Sequence, residues 1–339
     1  MAVQKKAGCF SFPAIVLIAT VGSGFLTGFL PISTFFAFIV LLYGLSIVFG
    51  RSSKENTSRF SWRFVIYSTF LLIALVGVRY MLSDFSLDQS ITPDITENIS
   101  RENFFENGDS IVVLRQDRQW KDNYGNSFSG RFLIREKEYF SSKKEYASAV
   151  SFHQNHSWGE LYQYLATTDT PRLDLILDEL KKIKDTNSLN QFEFAEMVVT
   201  FIQDIPYAFV FSEACKSPEN YEKTIKIALE KCPSCCIGQV PFGIQNPVGF
   251  MGNLKGDCDT RTVIIYAILS YFNYDVAILN SDYYKHSVLG LNIPSKGKFI
   301  AQKGKRYYVW ETTNKFFTIG TLPSNFDNIN HWYIVLTNN

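Results

Sequence analysis

Apolar and polar positions divide the chain into three regimes. Residues 7–50 hold no charged side chain, an apolar tract of 44 positions interrupted at Pro31. A bilayer-crossing helix needs about 20 apolar residues. The tract therefore predicts two helices, near residues 12–30 and 33–49, folded as a hairpin. A third apolar run, residues 64–78, is shorter. Arg63 and Arg79 can snorkel from its ends, and Trp62 and Tyr80 suit the two interfaces, so it reads as a third span. No small-residue cleavage site follows the first run, which argues against a cleaved signal peptide. The expectation is a membrane anchor of three transmembrane helices over residues 1–83, in contact with the lipid bilayer.

The second regime is polar. Residues 84–107, with Thr92-Pro93-Asp94, read as a linker holding at most one helical turn near 95–104. Strand-like runs at residues 110–114 and 131–134 flank the turn chemistry of Asp122-Asn123-Tyr124-Gly125-Asn126, predicting a small β-rich unit over residues 108–150. Residues 141–159 read as irregular. His153 and His156 lie three apart there, but no carboxylate or cysteine pair accompanies them, so they read as solvent-facing rather than as metal ligands.

The third regime, residues 151–339, alternates helix and strand patterns. Thr170-Pro171 opens a helix with an apolar stripe at Leu173, Ile176, Leu177, Leu180 and Ile183. Asn190 with Glu193 forms a capping-box variant for a second helix, stopped by Ile205-Pro206-Tyr207. A third, apolar on all sides, begins at Cys258. Strand patterns follow at residues 275–279, 287–293, 299–302, 306–311 and 331–336. The expected fold class is α+β, the cysteine helix packed on an antiparallel sheet.

Charge refines this picture. Net charge is +1, but residues 1–63 carry six Lys or Arg against Glu55 alone, or +5. The remainder has 33 − 6 = 27 basic and 32 − 1 = 31 acidic residues, or −4. The basic loops before the first helix and between the second and third belong in the cytoplasm, which puts everything after Met81 outside it. A mildly acidic extracytoplasmic domain has no electrostatic footprint for nucleic acid. No cofactor is implied.

The candidate chemistry lies at Lys255-Gly256-Asp257-Cys258-Asp259-Thr260-Arg261. Asp257 can cap the helix, and the helix dipole favours a thiolate at Cys258, with Asp259 opposing it. His286 opens a strand and Glu311 ends another, supplying an imidazole to take the thiol proton and an acid to orient it. Helix cysteine, strand histidine and strand acid in this order resemble the transglutaminase-like (papain-like) superfamily over residues 190–337. The matching residues are Gly256-Asp257-Cys258 with Arg261, His286, and Trp310-Glu311-Thr312-Thr313; bacterial members often carry Asp where this chain has Glu311. The resemblance implies a Cys258–His286–Glu311 triad acting through an acyl-enzyme on amide bonds of a protein or peptide, as a peptidase or a transamidase. It also implies Gln245 as a side-chain oxyanion donor. The rival expectation is an inactive binding module of the same fold.

Residues 209–253 form a cysteine-rich insertion holding Cys215, Cys232, Cys235 and Cys236. Outside the cytoplasm these predict two disulfides. A bridge between adjacent Cys235 and Cys236 would be strained, which leaves Cys215–Cys235 with Cys232–Cys236, or Cys215–Cys236 with Cys232–Cys235. A structural zinc on Cys232-Pro233-Ser234-Cys235 is the alternative.

Overall fold

The computed structural model describes residues 99–149 and 157–338. Three antiparallel strands come first: β1 (Ser100–Glu106), β2 (Asp109–Lys121) and β3 (Ser127–Arg135), in spatial order β1-β2-β3. Helices α1 (Glu136–Ser148), α2 (Trp158–Asp169), α3 (Asp174–Thr186) and α4 (Gln191–Gln203) follow. The insertion contributes the short strands β4 (Phe209–Val210) and β5 (Cys236–Ile237), with α5 (Lys223–Lys231) between them. Then come α6 (Pro247–Asn253), α7 (Cys258–Tyr271) and β6 (Val276–Ser281), β7 (His286–Leu291), β8 (Phe299–Gln302), β9 (Lys305–Trp310) and β10 (Tyr333–Thr337). The last five strands make an antiparallel sheet in the order β10-β6-β7-β9-β8.

The expected fold class is corrected. The described part is a mixed α/β body with a curled antiparallel sheet, and no helix among the described residues is long and apolar enough to cross a membrane. The longest of them, α7, has 14 residues. At about 1.5 Å per residue that falls well short of a hydrocarbon core about 30 Å thick. The three expected membrane spans, and His153 with His156, lie outside the described residues.

Two local expectations also change. β1 occupies part of the expected linker. Asn107 and Gly108 both have positive φ (52° and 92°), the left-handed geometry of a two-residue hairpin turn, which pairs Glu106 with Asp109 and Phe104 with Ile111. Helix α1 covers residues expected to be irregular; only Ser142 and Tyr146 on it are buried, so it has almost no apolar stripe to read.

The cysteine helix lies at the centre. Val263, Ile264, Ile265, Ile268 and Leu269 are fully buried, against α4, α2, α6 and the inner face of β6 and β7. Successive strand residues point to opposite faces, so Val276 and Ile278 of β6 join this core, while Ala277 and Leu279 join a second cluster with Val288, Val309 and Trp332. The three-stranded sheet shares the main core: Trp120 packs on Phe201 of α4 at 4.9 Å and donates from its indole to the Met197 carbonyl at 3.2 Å. On β10, the outer edge of the large sheet, α2 starts against the strand backbone. A Cβ on Gly159 would lie 2.1 Å from the Val335 carbonyl oxygen, so only glycine permits the approach.

Candidate active site

Asp257 adopts extended backbone as the cap of α7, and its carboxylate accepts from the Thr260 N–H at 3.1 Å, satisfying one of the free donors of the first turn. Arg261, fully buried, fixes that turn to the preceding helix. Its Nε donates to the Gly256 carbonyl at 3.0 Å and one terminal nitrogen to the Ile202 carbonyl at 2.9 Å; the other donates to the Ile205 carbonyl. Burial pulls the Arg261 pKa down to about 10, which leaves it protonated at neutral pH. This cation neutralises the C-terminal carbonyls of α4 rather than a carboxylate.

Cys258 occupies the first position of α7, unbridged and 7% exposed. Its Sγ lies 3.8 Å from Asp259 Oδ2. Burial pushes the thiol well up from its ordinary pKa, and the charges of Asp259 and Asp257 add to that. Asp257 is itself raised, by burial first and then by Asp259. The two carboxylates and burial therefore outweigh the helix dipole, and the sulfur holds its proton at rest.

Asp259 is the residue the sequence left without a role beyond opposing the thiolate. Its Oδ1 accepts from the Tyr162 hydroxyl at 2.6 Å and from the Ser287 hydroxyl. Asn280 completes the group, donating to Tyr162 at 2.9 Å and lying 2.8 Å from Ser287 Oγ. Tyr162 of α2 and Ser287 of β7, braced by Asn280 of β6, thus hold the carboxylate beside the sulfur. Their spacing in sequence gave no sign of it, since they converge only when the helix lies on the sheet.

The other half of the site is the pair at the ends of β7 and β9. His286 Nε2 lies 3.0 Å from Glu311 Oε2, with the Glu311 side chain fully buried and that of His286 14% exposed. The second carboxylate oxygen accepts from the Thr313 N–H at 2.7 Å and from its hydroxyl. Gln203 of α4 donates to the Glu311 carbonyl at 2.6 Å, a positioning contact that its sequence context did not disclose. Burial works to lower the His286 pKa, but the charge and hydrogen bond of Glu311 outweigh it, and the net shift is upward. For Glu311 burial works upward, yet His286 and Thr313 prevail and its pKa is lowered. Phe326, at 4.8 Å between ring centroids, and Trp332, at 6.0 Å, wall the imidazole.

The structure therefore brings His286 and Glu311 into contact. The turn that carries Cys258 meets the start of the same strand through the Asp259–Ser287 bond, with no hydrogen bond from the sulfur to the His286 ring. Gln245 is buried, and its amide nitrogen donates to the Lys255 carbonyl at 2.6 Å while its oxygen accepts from Asn253. It braces the turn before Cys258, its known donor contact directed at the backbone. His331 stacks on Tyr283 at 4.2 Å, beside the aromatic wall. In the insertion, Cys215 is joined to Cys236 and Cys232 to Cys235. The zinc alternative fails, because both sulfurs of its Cys-Pro-Ser-Cys motif are held in a disulfide.

No family model, no curated protein and no solved structure compared with the chain matches it.

Proposed function

We propose that the described domain is a thiol enzyme of transglutaminase-like type, acting on amide bonds of a protein or peptide through an acyl-enzyme at Cys258. The observation that carries this reading is the buried His286–Glu311 pair, 3.0 Å apart, at the mouth of the strand whose next residue, Ser287, bonds the Asp259 carboxylate beside the Cys258 sulfur. In the reaction Cys258 Sγ attacks the carbonyl carbon while its proton passes to His286, with Glu311 stabilising the imidazolium. The proton then goes to the leaving amine, and water or a second amine takes the acyl group. Since the resting sulfur is a thiol, proton removal belongs to the attack step rather than preceding it. The two disulfides support an oxidising, extracytoplasmic setting for this chemistry.

A p-nitrophenyl ester tests the reading on the full chain. The expected result is a stoichiometric burst of nitrophenolate, an acyl adduct mapped to Cys258, and no burst in Cys258→Ser. An absent burst, or an adduct elsewhere, would overturn it. A second reading has its own observation: the thiol lies 7% exposed beside Asp259 and Asp257, as in a binding module that keeps the fold and has lost the reaction. Failure of acylation with the fold intact is the outcome it expects.

A further inference from the structure

We propose that the Cys232–Cys235 disulfide is a thiol-exchange site: a dithiol reductant opens it, and its opening loosens the strip of chain that borders Cys258. The regulatory half of this inference rests on Cys258 being the nucleophile; the exchange half stands without it.

The two bridges of the insertion differ in what they restrain. Cys215 and Cys236 are 21 positions apart, Cys232 and Cys235 only 3. The restraint a bridge places on the unfolded chain grows with the loop it closes. The short bridge therefore contributes less to the fold, and it can open while the long one keeps the insertion together. The short bridge is also chemically asymmetric. Cys232 caps the end of α5, is 6% exposed, and has its sulfur 3.6 Å from the Ser234 hydroxyl. Cys235 is half-buried, next to exposed Pro233 and Ser234. A thiolate of the reductant reaches the Cys235 sulfur and forms a mixed disulfide as the Cys232–Cys235 bond breaks. Cys232 leaves as a thiolate within reach of the Ser234 hydroxyl and then takes a proton from solvent. The second thiol of the reductant, losing its proton, attacks the mixed disulfide and releases Cys235. Two electrons pass to the protein, and the reductant leaves as an intramolecular disulfide.

The path from this bridge to Cys258 is short and made of backbone. The Phe209 N–H donates to the Cys235 carbonyl at 2.9 Å, and β4 pairs in parallel with β5, Phe209 opposite Cys236. Two residues earlier, Tyr207 bridges to Gly256, and the Ala208 N–H donates to the Gly256 carbonyl at 3.2 Å. Tyr207 packs edge-on against Phe209 at 5.3 Å, and its phenol is pushed well up by burial and then by the nearby Cys258. Lys255 adds a second tie, donating from its ammonium to the Ser234 carbonyl at 3.4 Å. The same four-residue strip thus holds the cysteine turn on one side and the exchangeable bridge on the other. The Phe209 bond to the Cys235 carbonyl ends this short pair on the side of the opened bridge, so it is the contact that frays while Cys236 stays bonded to Cys215.

Graded mixtures of reduced and oxidised dithiothreitol on the full chain, followed by maleimide trapping and peptide mapping, test the proposal. Cys232 and Cys235 are expected to label at a lower reductant ratio than Cys215 and Cys236. In that same window, Cys258 labelling is expected to accelerate about threefold or more, as local opening exposes it. A double variant, Cys232→Ser with Cys235→Ser, should show the fast Cys258 rate without reductant; if it does not fold, the parent titration decides alone. Bridges that open together, a long bridge that opens first, or a Cys258 rate that is flat across the window would overturn the proposal. Because the readout is labelling and not turnover, its failure is separate from failure of the ester burst.

Discussion

The two halves of the candidate site are held in opposite electrostatic conditions. On β7 and β9 the buried charges compensate each other: Glu311 raises His286, and His286 lowers Glu311. At the start of α7 the thiol lies beside two carboxylates, and burial with those charges raises it despite the Arg261 cation nearby. Arg261 gives its hydrogen bonds to backbone carbonyls and none to the sulfur. The difference teaches that one half is built to hold a charge and the other to avoid one. Activation of the thiol then requires a change at the carboxylates or at the cover over the sulfur, not at the imidazole.

The largest expected effect comes from removing one partner of the compensated half. His286→Ala leaves Glu311 as a buried carboxylate without its partner, and breaking such a pair costs about 3–5 kcal/mol. Urea unfolding at neutral pH should show this loss, and it should shrink as acid protonates Glu311. An unchanged midpoint would mean that Thr313 alone satisfies the carboxylate.

Glu311→Gln sharpens the comparison through pH. His286 in the folded protein lies above its unfolded 6.5, so its contribution is complete below that value and is lost as pH rises through the folded pKa. Glu311 lies below its unfolded 4.5, so its contribution is complete above that value and is lost as pH falls through the folded pKa. The stabilisation from the pair therefore spans the window between those two ordinary values. The Gln variant should lose about 1–3 kcal/mol there, and its stability profile should flatten on both flanks. A parent profile without these two slopes would refute the pairing.

The smallest effect is expected at the thiol half. Asp259→Asn removes a charge that raises Cys258, so the thiol pKa should fall. Its alkylation near neutral pH should quicken by roughly threefold to tenfold, a pKa unit being tenfold in thiolate. A slower or unchanged rate would show that burial alone governs the sulfur.

What the sequence disclosed follows from how far apart the interacting residues lie. The Asp257 cap and the Asn190–Glu193 capping box depend on neighbours within three positions, and both were readable. So was the aliphatic stripe of α3, buried at Ile176, Leu177, Leu180 and Ile183. The Asn107-Gly108 turn is equally local, but the acidic, aperiodic run before it carries no strand alternation to announce β1. The Asp259 group joins positions 162, 259, 280 and 287, and Gln203 reaches Glu311 across 108 positions; no local pattern encodes either. The spacing of the four cysteines leaves two disulfide arrangements, and the structure has Cys215 with Cys236 and Cys232 with Cys235.

Gly159 has a consequence for solution behaviour. β10 ends the large sheet, and the outermost strand of any sheet offers unpaired backbone to a second chain. Helix α2 begins on that backbone, and only the missing side chain of Gly159 lets it come so close. The glycine therefore works as a seal. A methyl group there would lift the helix from the strand and leave a template for edge-to-edge association, so the first sign of its loss would be aggregation rather than a change in chemistry.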